Sequence, residues 1–291
     1  MLYFTYTLNF SLMIVLPVLL GIAVTRRWKT GWTLWGWGAL AFIASQAARW
    51  PFLMGLTALF NAGLLPHIPE GYTNAFNIAV LCLSAGLFEE GARYLFYRFA
   101  IPRARRWEQA VTFGAGHGGI EAIFLGVGVA LSFINMTALQ AMDWNTLALT
   151  AEQRAMLTEQ FTAYWAAPVW LTVLGAVERV FALCLHVTLA VLVLQSINRR
   201  NGWWWLAAVG WHALANAVAV TVAQAVGPLA AEGALAVIAA LSLWALFALR
   251  RVPAVELPPE PVVNLPATSA APAVDPESEL RRKMDESRFN G

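Results

Sequence analysis

The chain has 291 residues, of which 12% are charged and 59% hydrophobic, and its mean hydropathy is +0.60. Since a soluble domain carries roughly 25% charged residues, this composition excludes an ordinary soluble protein. The 14 Trp and 16 Phe exclude a disordered chain, and a net charge of +2 does not indicate nucleic-acid binding. Long apolar runs without a period of two exclude a membrane β-barrel and predict an all-α, polytopic helical membrane bundle.

The apolar runs predict about seven membrane-spanning helices, separated by charged or polar loops. Residues Trp50–Leu65 are apolar but lie between Arg49 and His67, so we interpret them as an interfacial or re-entrant helix. Residues 140–162 are polar and predict an external amphipathic segment. The predicted spans are Tyr6–Val24, Trp32–Ala48, Asn74–Tyr97, Gln109–Leu139, Tyr164–Ile197, Trp203–Val226 and Pro228–Leu249.

Basic residues indicate how the helices are oriented. Clusters of Arg and Lys follow the first, third, fifth and seventh predicted spans, whereas the other loops are neutral or acidic. The positive-inside rule therefore predicts an outside N-terminus and a cytoplasmic C-terminus in the cell membrane, which we expect to be a bacterial cytoplasmic membrane. Residues 252–291 hold half of the 14 prolines, so we predict a disordered cytoplasmic tail after a transmembrane domain of residues 1–251.

Four predicted spans carry ionisable side chains, although each charge at the bilayer centre costs about 2.5–3.5 kcal/mol. Counted at 1.5 Å per residue, these side chains lie roughly 13–20 Å from the basic loops. Their shared depth predicts one polar cavity that opens toward the cytoplasmic side. Glu90 with Arg93, and Glu178 with Arg179, are also typical of structural ion pairs. The set comprises Glu89, Glu90, Arg93, His117, Glu121, Glu178, Arg179, His186, His212 and Asn216.

A carboxylate and a histidine in such a cavity can activate water for amide hydrolysis, and a second histidine and an asparagine can stabilise the oxyanion. Glu89, His117, His212 and Asn216 match these four catalytic roles, and this mechanism needs no cofactor. The six other members of the set are candidates for supporting roles. Alternatively, zinc can be held by a set drawn from His117, Glu121, His186 and His212, with Glu89 as general base, although no HExxH motif is present.

Four motifs give the sequence a family resemblance: EEGAR at 89–93, FGAGHGGIE at 113–121, ER at 178–179 followed by His186, and HALAN at 212–216. Together they resemble the YhfC family of intramembrane peptidases. That family is grouped with the CPBP/ABI superfamily, which includes the type II CAAX prenyl endopeptidases and PrsW-type proteases. The resemblance spans roughly residues 5–250.

The resemblance implies that Glu89 and His117 activate water and that His212 and Asn216 form the oxyanion hole. The prenyl endopeptidases have Glu-Glu-x-x-x-Arg, whereas Arg93 is one residue closer here. That departure keeps the zinc alternative open, and the resemblance does not carry over a CAAX substrate.

The functional prediction is therefore an intramembrane endopeptidase whose partners are the lipid bilayer and a peptide or membrane-protein substrate, with no nucleic acid. Two other classes remain open at this point. An ion-coupled transporter also uses chains of intramembrane Glu and His, but the sequence has no convincing inverted repeat. A non-catalytic scaffold or immunity protein with the same fold would not require Glu89 or His117 for its function.

Overall fold

The computed structural model describes residues 1–146 and 148–250, together with Glu277, Leu280, Arg281 and Met284. The predicted disordered tail, residues 252–291, otherwise lies outside the described residues. Up to residue 250 the described chain is almost entirely helical and contains no strand. The α-helices are α1 (Leu2–Trp28), α2 (Trp32–Asn61), α3 (Glu70–Leu95), α4 (Trp107–Ala141), α5 (Ala151–Trp165), α6 (Leu174–Asn198), α7 (Trp203–Ala225) and α8 (Pro228–Leu249).

The predicted helical membrane bundle is confirmed. Among the described residues, six helices are long and apolar enough to cross a bilayer: α1, α3 with the π-turn that follows it, α4, α6 with the short turn that precedes it, α7 and α8. The helix α2 has 30 residues but is not one of these six. It corresponds to the second predicted span, so the count of seven and the orientation of the termini stay predictions.

The helix α2 also corrects one expectation. We expected a span ending at Ala48 and a separate interfacial or re-entrant helix over Trp50–Leu65, but one continuous helix runs to Asn61. Arg49 does not interrupt it because its guanidinium donates to the Ser84 hydroxyl (3.1 Å) and to a backbone carbonyl of α3 (2.9 Å). Two of the five N–H donors of this arginine therefore bind α3, and the helix continues past the charged residue.

The start of the fifth predicted span was also wrong. We expected it to begin at Tyr164, but that residue lies in α5, which ends at Trp165, while α6 begins at Leu174. Pro168 lies between the two helices, and a proline disfavours helical backbone in the residue before it. The amphipathic segment predicted over residues 140–162 contains most of α5, a helix without a buried residue.

The ends of the helices that carry the basic loops meet on one side of the bundle. The hydroxyls of Thr30 and Thr112 lie 2.7 Å apart, and Asn198 donates to the Arg105 carbonyl at 2.9 Å. The indole of Trp107 donates to the α8 backbone at 2.9 Å. We call this side, which carries Arg26, Arg27, Lys29, Arg98, Arg103, Arg105, Arg106, Arg199, Arg200 and Arg250, the basic face.

Glycines allow the helices near the basic face to touch backbone to backbone. A Cβ at Gly38 of α2 would lie 1.9 Å from the carbonyl oxygen of Phe113 in α4, and one at Gly116 would lie 1.9 Å from that of Trp35. Gly114 packs in the same way on the α6 backbone. Such contacts exclude any side chain, so the glycines set how closely α2, α4 and α6 approach.

Candidate active site

Glu89 on α3 is the point at which polar side chains from three other helices meet. Its Oε1 accepts a hydrogen bond from Nε2 of Gln46 on α2 at 3.1 Å, and its Oε2 lies 3.1 Å from Nε2 of His117 on α4. Nε2 of His212 on α7 lies 3.9 Å from the same oxygen. The predicted convergence of Glu89, His117 and His212 at one level is therefore present, and all three are buried.

Behind this group, Glu90 and Arg93 form a fully buried ion pair. Nη1 of Arg93 lies 2.5 and 2.7 Å from the two carboxylate oxygens of Glu90, and Nδ1 of His212 lies 2.8 Å from Oε1. Because a carboxylate held by a guanidinium only accepts hydrogen bonds, the proton of His212 is at Nδ1. In the neutral ring, Nε2 of His212, 3.9 Å from Glu89 Oε2, therefore carries the lone pair.

His186 on α6 joins the same network from the other side. Nη2 of Arg93 lies 2.7 Å from its Nδ1, and Glu121 Oε2 lies 2.6 Å from its Nε2. Since a guanidinium can only donate, Nδ1 accepts and the proton of His186 is at Nε2. The contact between Nε2 and Glu121 Oε2 is close but lacks hydrogen-bond geometry. The second oxygen of Glu121 accepts from Arg179 at 2.8 Å, and Arg179 also pairs with Glu178.

A cavity of about 440 Å³ lies against this network. Glu89, His186 and His212 line it, together with Glu121 and the partly buried Asn216. His117 is fully buried and is not part of the lining, so it contacts Glu89 from the side away from the cavity. The structure thus separates residues that can touch a ligand from residues that hold them in place.

The cavity does not extend in the direction that we expected. Its lining on α3 runs from Glu89 back to Leu81, away from the basic end of that helix, and its lining on α7 runs from His212 on to Val220. The predicted opening toward the side of the basic loops is therefore wrong. The reason is the tight packing near the basic face, where the glycine contacts and fully buried side chains such as Phe113 leave no room.

Two residues of α2 were missed by the sequence analysis. Gln46 holds Glu89, and Arg49 lines the same cavity one turn farther from the basic face. The signal was present, because Gln46 and Arg49 are, with Ser45, the polar residues of an otherwise apolar stretch and are three positions apart. Arg49 had been interpreted only as the boundary of a span.

The donor atoms also form a candidate metal site. Glu89, His186 and His212 each offer one ligand atom, and these atoms lie within 4.8 Å of one another. Of the predicted ligands, His186 and His212 belong to this group. His117 and Glu121 do not, and Glu89, which was predicted as a base, belongs to it instead. Nδ1 of His117 is buried without a hydrogen-bond partner in the part of the chain that the structure describes.

Comparison with known proteins identifies a family. The model of a family described as YhfC intramembrane metalloprotease matches residues 12–239, a range that contains every site residue described above. A protein of Bacillus subtilis (strain 168) named "uncharacterized membrane protein YhfC" is 33% identical over 174 residues, which cover 59% of this chain and 67% of the relative. No solved structure is significantly similar.

Proposed function

The chain belongs to the YhfC intramembrane metalloprotease family, and from this premise we propose that it hydrolyses peptide bonds at the Glu89 cluster. One observation carries the proposal: a buried carboxylate on a cavity wall is held by Gln46 and His117 and faces the free nitrogen of His212. Such a preorganised arrangement of acids and bases around a space for substrate is what amide hydrolysis requires.

In the first version of the mechanism, Glu89 is the general base. It takes a proton from a water molecule whose oxygen attacks the scissile carbonyl, and it returns that proton to the leaving amine as the C–N bond breaks. His117 and Gln46 fix its two oxygens, so little reorganisation accompanies the transfer. The side-chain amide of Asn216 lines the cavity and is the candidate donor to the oxyanion.

The protonation of His212 limits what it does in this version. Nδ1 of His212 donates its proton to Glu90. In the neutral ring, Nε2 on the cavity side can therefore only accept a hydrogen bond, and it donates to an oxyanion only in the imidazolium form. This geometry favours a second version, in which His212 is a metal ligand. A ligating histidine uses one nitrogen and donates through the other to a carboxylate, which is the arrangement that His212 has with Glu90.

The residues fit a catalytic zinc ion, since two imidazoles and one carboxylate are a common ligand set. Glu89, His186 and His212 would hold it, and it would supply Lewis-acid activation of water and of the scissile carbonyl. His186 can ligate only after Arg93 withdraws its hydrogen bond from Nδ1, because a neutral ring carries one proton. Glu121 and Glu178 are then the remaining carboxylates of the cavity lining, and both pair with Arg179.

The test uses the purified chain in detergent with a peptide library. We expect cleavage by the wild type and a loss of at least about 100-fold in Glu89→Gln, since removal of a general base typically costs 10²–10⁴. Glu159→Gln on the exposed α5 is the matched control and should cleave like the wild type. Equal cleavage by wild type and Glu89→Gln would refute the assignment.

Metal content separates the two versions. Near one equivalent of zinc in the wild type, lost in His212→Ala and His186→Ala, supports the metal version. Less than about a tenth of an equivalent, with activity that resists a chelator, supports the version in which Glu89 is the base.

A further inference from the structure

Arg49 is a cation on the cavity wall that no carboxylate of the described chain neutralises. The two other arginines close to the site are paired, Arg93 with Glu90 and Arg179 with both Glu121 and Glu178. Arg49 instead uses Nε and one Nη2 hydrogen on neutral oxygens of α3. Of its five N–H donors, three remain for a ligand, and they carry a full positive charge.

The position of Arg49 marks where a ligand chain would approach the site. A groove of about 650 Å³ runs along α2 from Gln46 to Asn61, and it shares Gln46, Arg49 and Leu81 with the site cavity. Fifteen residues of helix make this groove about 22 Å long. Trp50, Leu53 and Met54 give it apolar walls, so it suits an apolar polypeptide segment that passes Arg49 before it reaches Glu89.

The distance between Arg49 and Glu89 can be expressed in substrate residues. Arg49 is held at Ser84 and Glu89 lies five residues farther along α3, a rise of about 7.5 Å. An extended peptide advances about 3.3–3.6 Å per residue, so the two points are separated by about two substrate residues. A group bound by Arg49 is therefore close enough to set which bond lies against Glu89.

We propose that Arg49 is a specificity-determining residue, which binds a carboxylate of the substrate peptide about two residues from the bond that is cleaved. The inference rests on the proposed peptidase function and names its substrate class. A guanidinium forms charge-assisted and often bidentate hydrogen bonds with a carboxylate. The carboxylate can be an acidic side chain or the C-terminus of the chain, and the experiment distinguishes these.

The experiment measures kcat/KM for matched peptides built on one sequence that the wild type cleaves. The peptides carry Asn, Asp or Lys at each position within four residues of the scissile bond, and a further pair ends two residues beyond it as a free acid or an amide. We expect the wild type to prefer one carboxylate over its neutral partner by about 10–100-fold, as is typical of a hydrogen-bonded charge. Preference for Asp identifies a side chain, and preference for the free acid identifies the C-terminus.

Variants of Arg49 assign that preference to the guanidinium. In Arg49→Gln the ratio of the charged to the neutral peptide should fall to about 1, and in Arg49→Glu the Lys peptide should become the better substrate. Arg49→Met, which keeps the length of the side chain in the apolar groove, is a second neutral variant in case Arg49→Gln does not fold. Arg154→Gln, which removes a charge on α5 away from the cavity, is the control and should keep the wild-type ratio.

The outcomes distinguish a failure of the Arg49 proposal from a failure of the peptidase proposal. A wild type that cleaves peptides without preferring a carboxylate overturns the inference about Arg49 and leaves the peptidase proposal intact. The same holds if Arg49→Gln and Arg49→Met, both folded by gel filtration and circular dichroism, retain the wild-type ratio. A wild type that cleaves no peptide at all, with or without added zinc, counts against the peptidase proposal itself.

Discussion

Replacement of Arg93 by methionine should be among the most destabilising single changes in the bundle. Arg93 and Glu90 are both fully buried, and the guanidinium lies 2.5–2.7 Å from both Glu90 oxygens and from Nδ1 of His186. Without it, the Glu90 carboxylate keeps only the hydrogen bond from His212 inside the bundle. Breaking a buried ion pair on one side costs about 3–5 kcal/mol, because an uncompensated charge stays behind.

The assay is equilibrium unfolding in mixed micelles, followed by circular dichroism, for Arg93→Met, Glu90→Gln and the double variant. The double variant contains no unpaired charge. We therefore expect its loss of stability to be smaller than the sum of the two single losses by about 1.5–3 kcal/mol. Arg98→Met, which removes an exposed arginine in the π-turn that follows the same helix, should change stability by less than about 0.5 kcal/mol. The reasoning is refuted if Arg93→Met unfolds like Arg98→Met, or if the single effects add.

Three further predictions follow from contacts described above. Gly38→Ala should destabilise the fold by more than about 2 kcal/mol because its Cβ would overlap the Phe113 carbonyl, whereas Gly36→Ala, which has open space, should be neutral or stabilising in the same unfolding assay. Gln46→Leu should lower kcat about tenfold by releasing one oxygen of Glu89, and an unchanged kcat would show that Gln46 does not position it. Thr150→Ala should remove the capping box of α5 and cost about 1 kcal/mol of local stability, seen as faster hydrogen exchange confined to that helix.

The depth of the site was predictable because one rule governs it. A helix rises 1.5 Å per residue, so counting from the basic loops put Glu89, His117, His186 and His212 at one level, and the structure brings their side chains together. The family could be identified for the same reason, since its motifs are the polar interruptions of those helices.

The features that escaped prediction depend on packing between helices. Arg49 looked like the end of a span because nothing in its own helix shows that Ser84 would accept its hydrogen bond. The direction of the cavity depends on where helices touch, and the positions of Gly38 and Gly116 do not reveal their partners in the sequence. The protonated nitrogen of His212 is likewise set by Glu90, a residue of another helix that lies 122 positions earlier.

The crossing of α2 and α4 at Gly38 and Gly116 has a mechanical consequence. The backbone nitrogen of His117 also lies within 2.9 Å of where a Gly38 Cβ would be, so the residue that holds Glu89 sits at the crossing itself. The close contact therefore couples the spacing of α2 and α4 to the position of the imidazole that contacts Glu89, and a substitution that widens this crossing would also move His117.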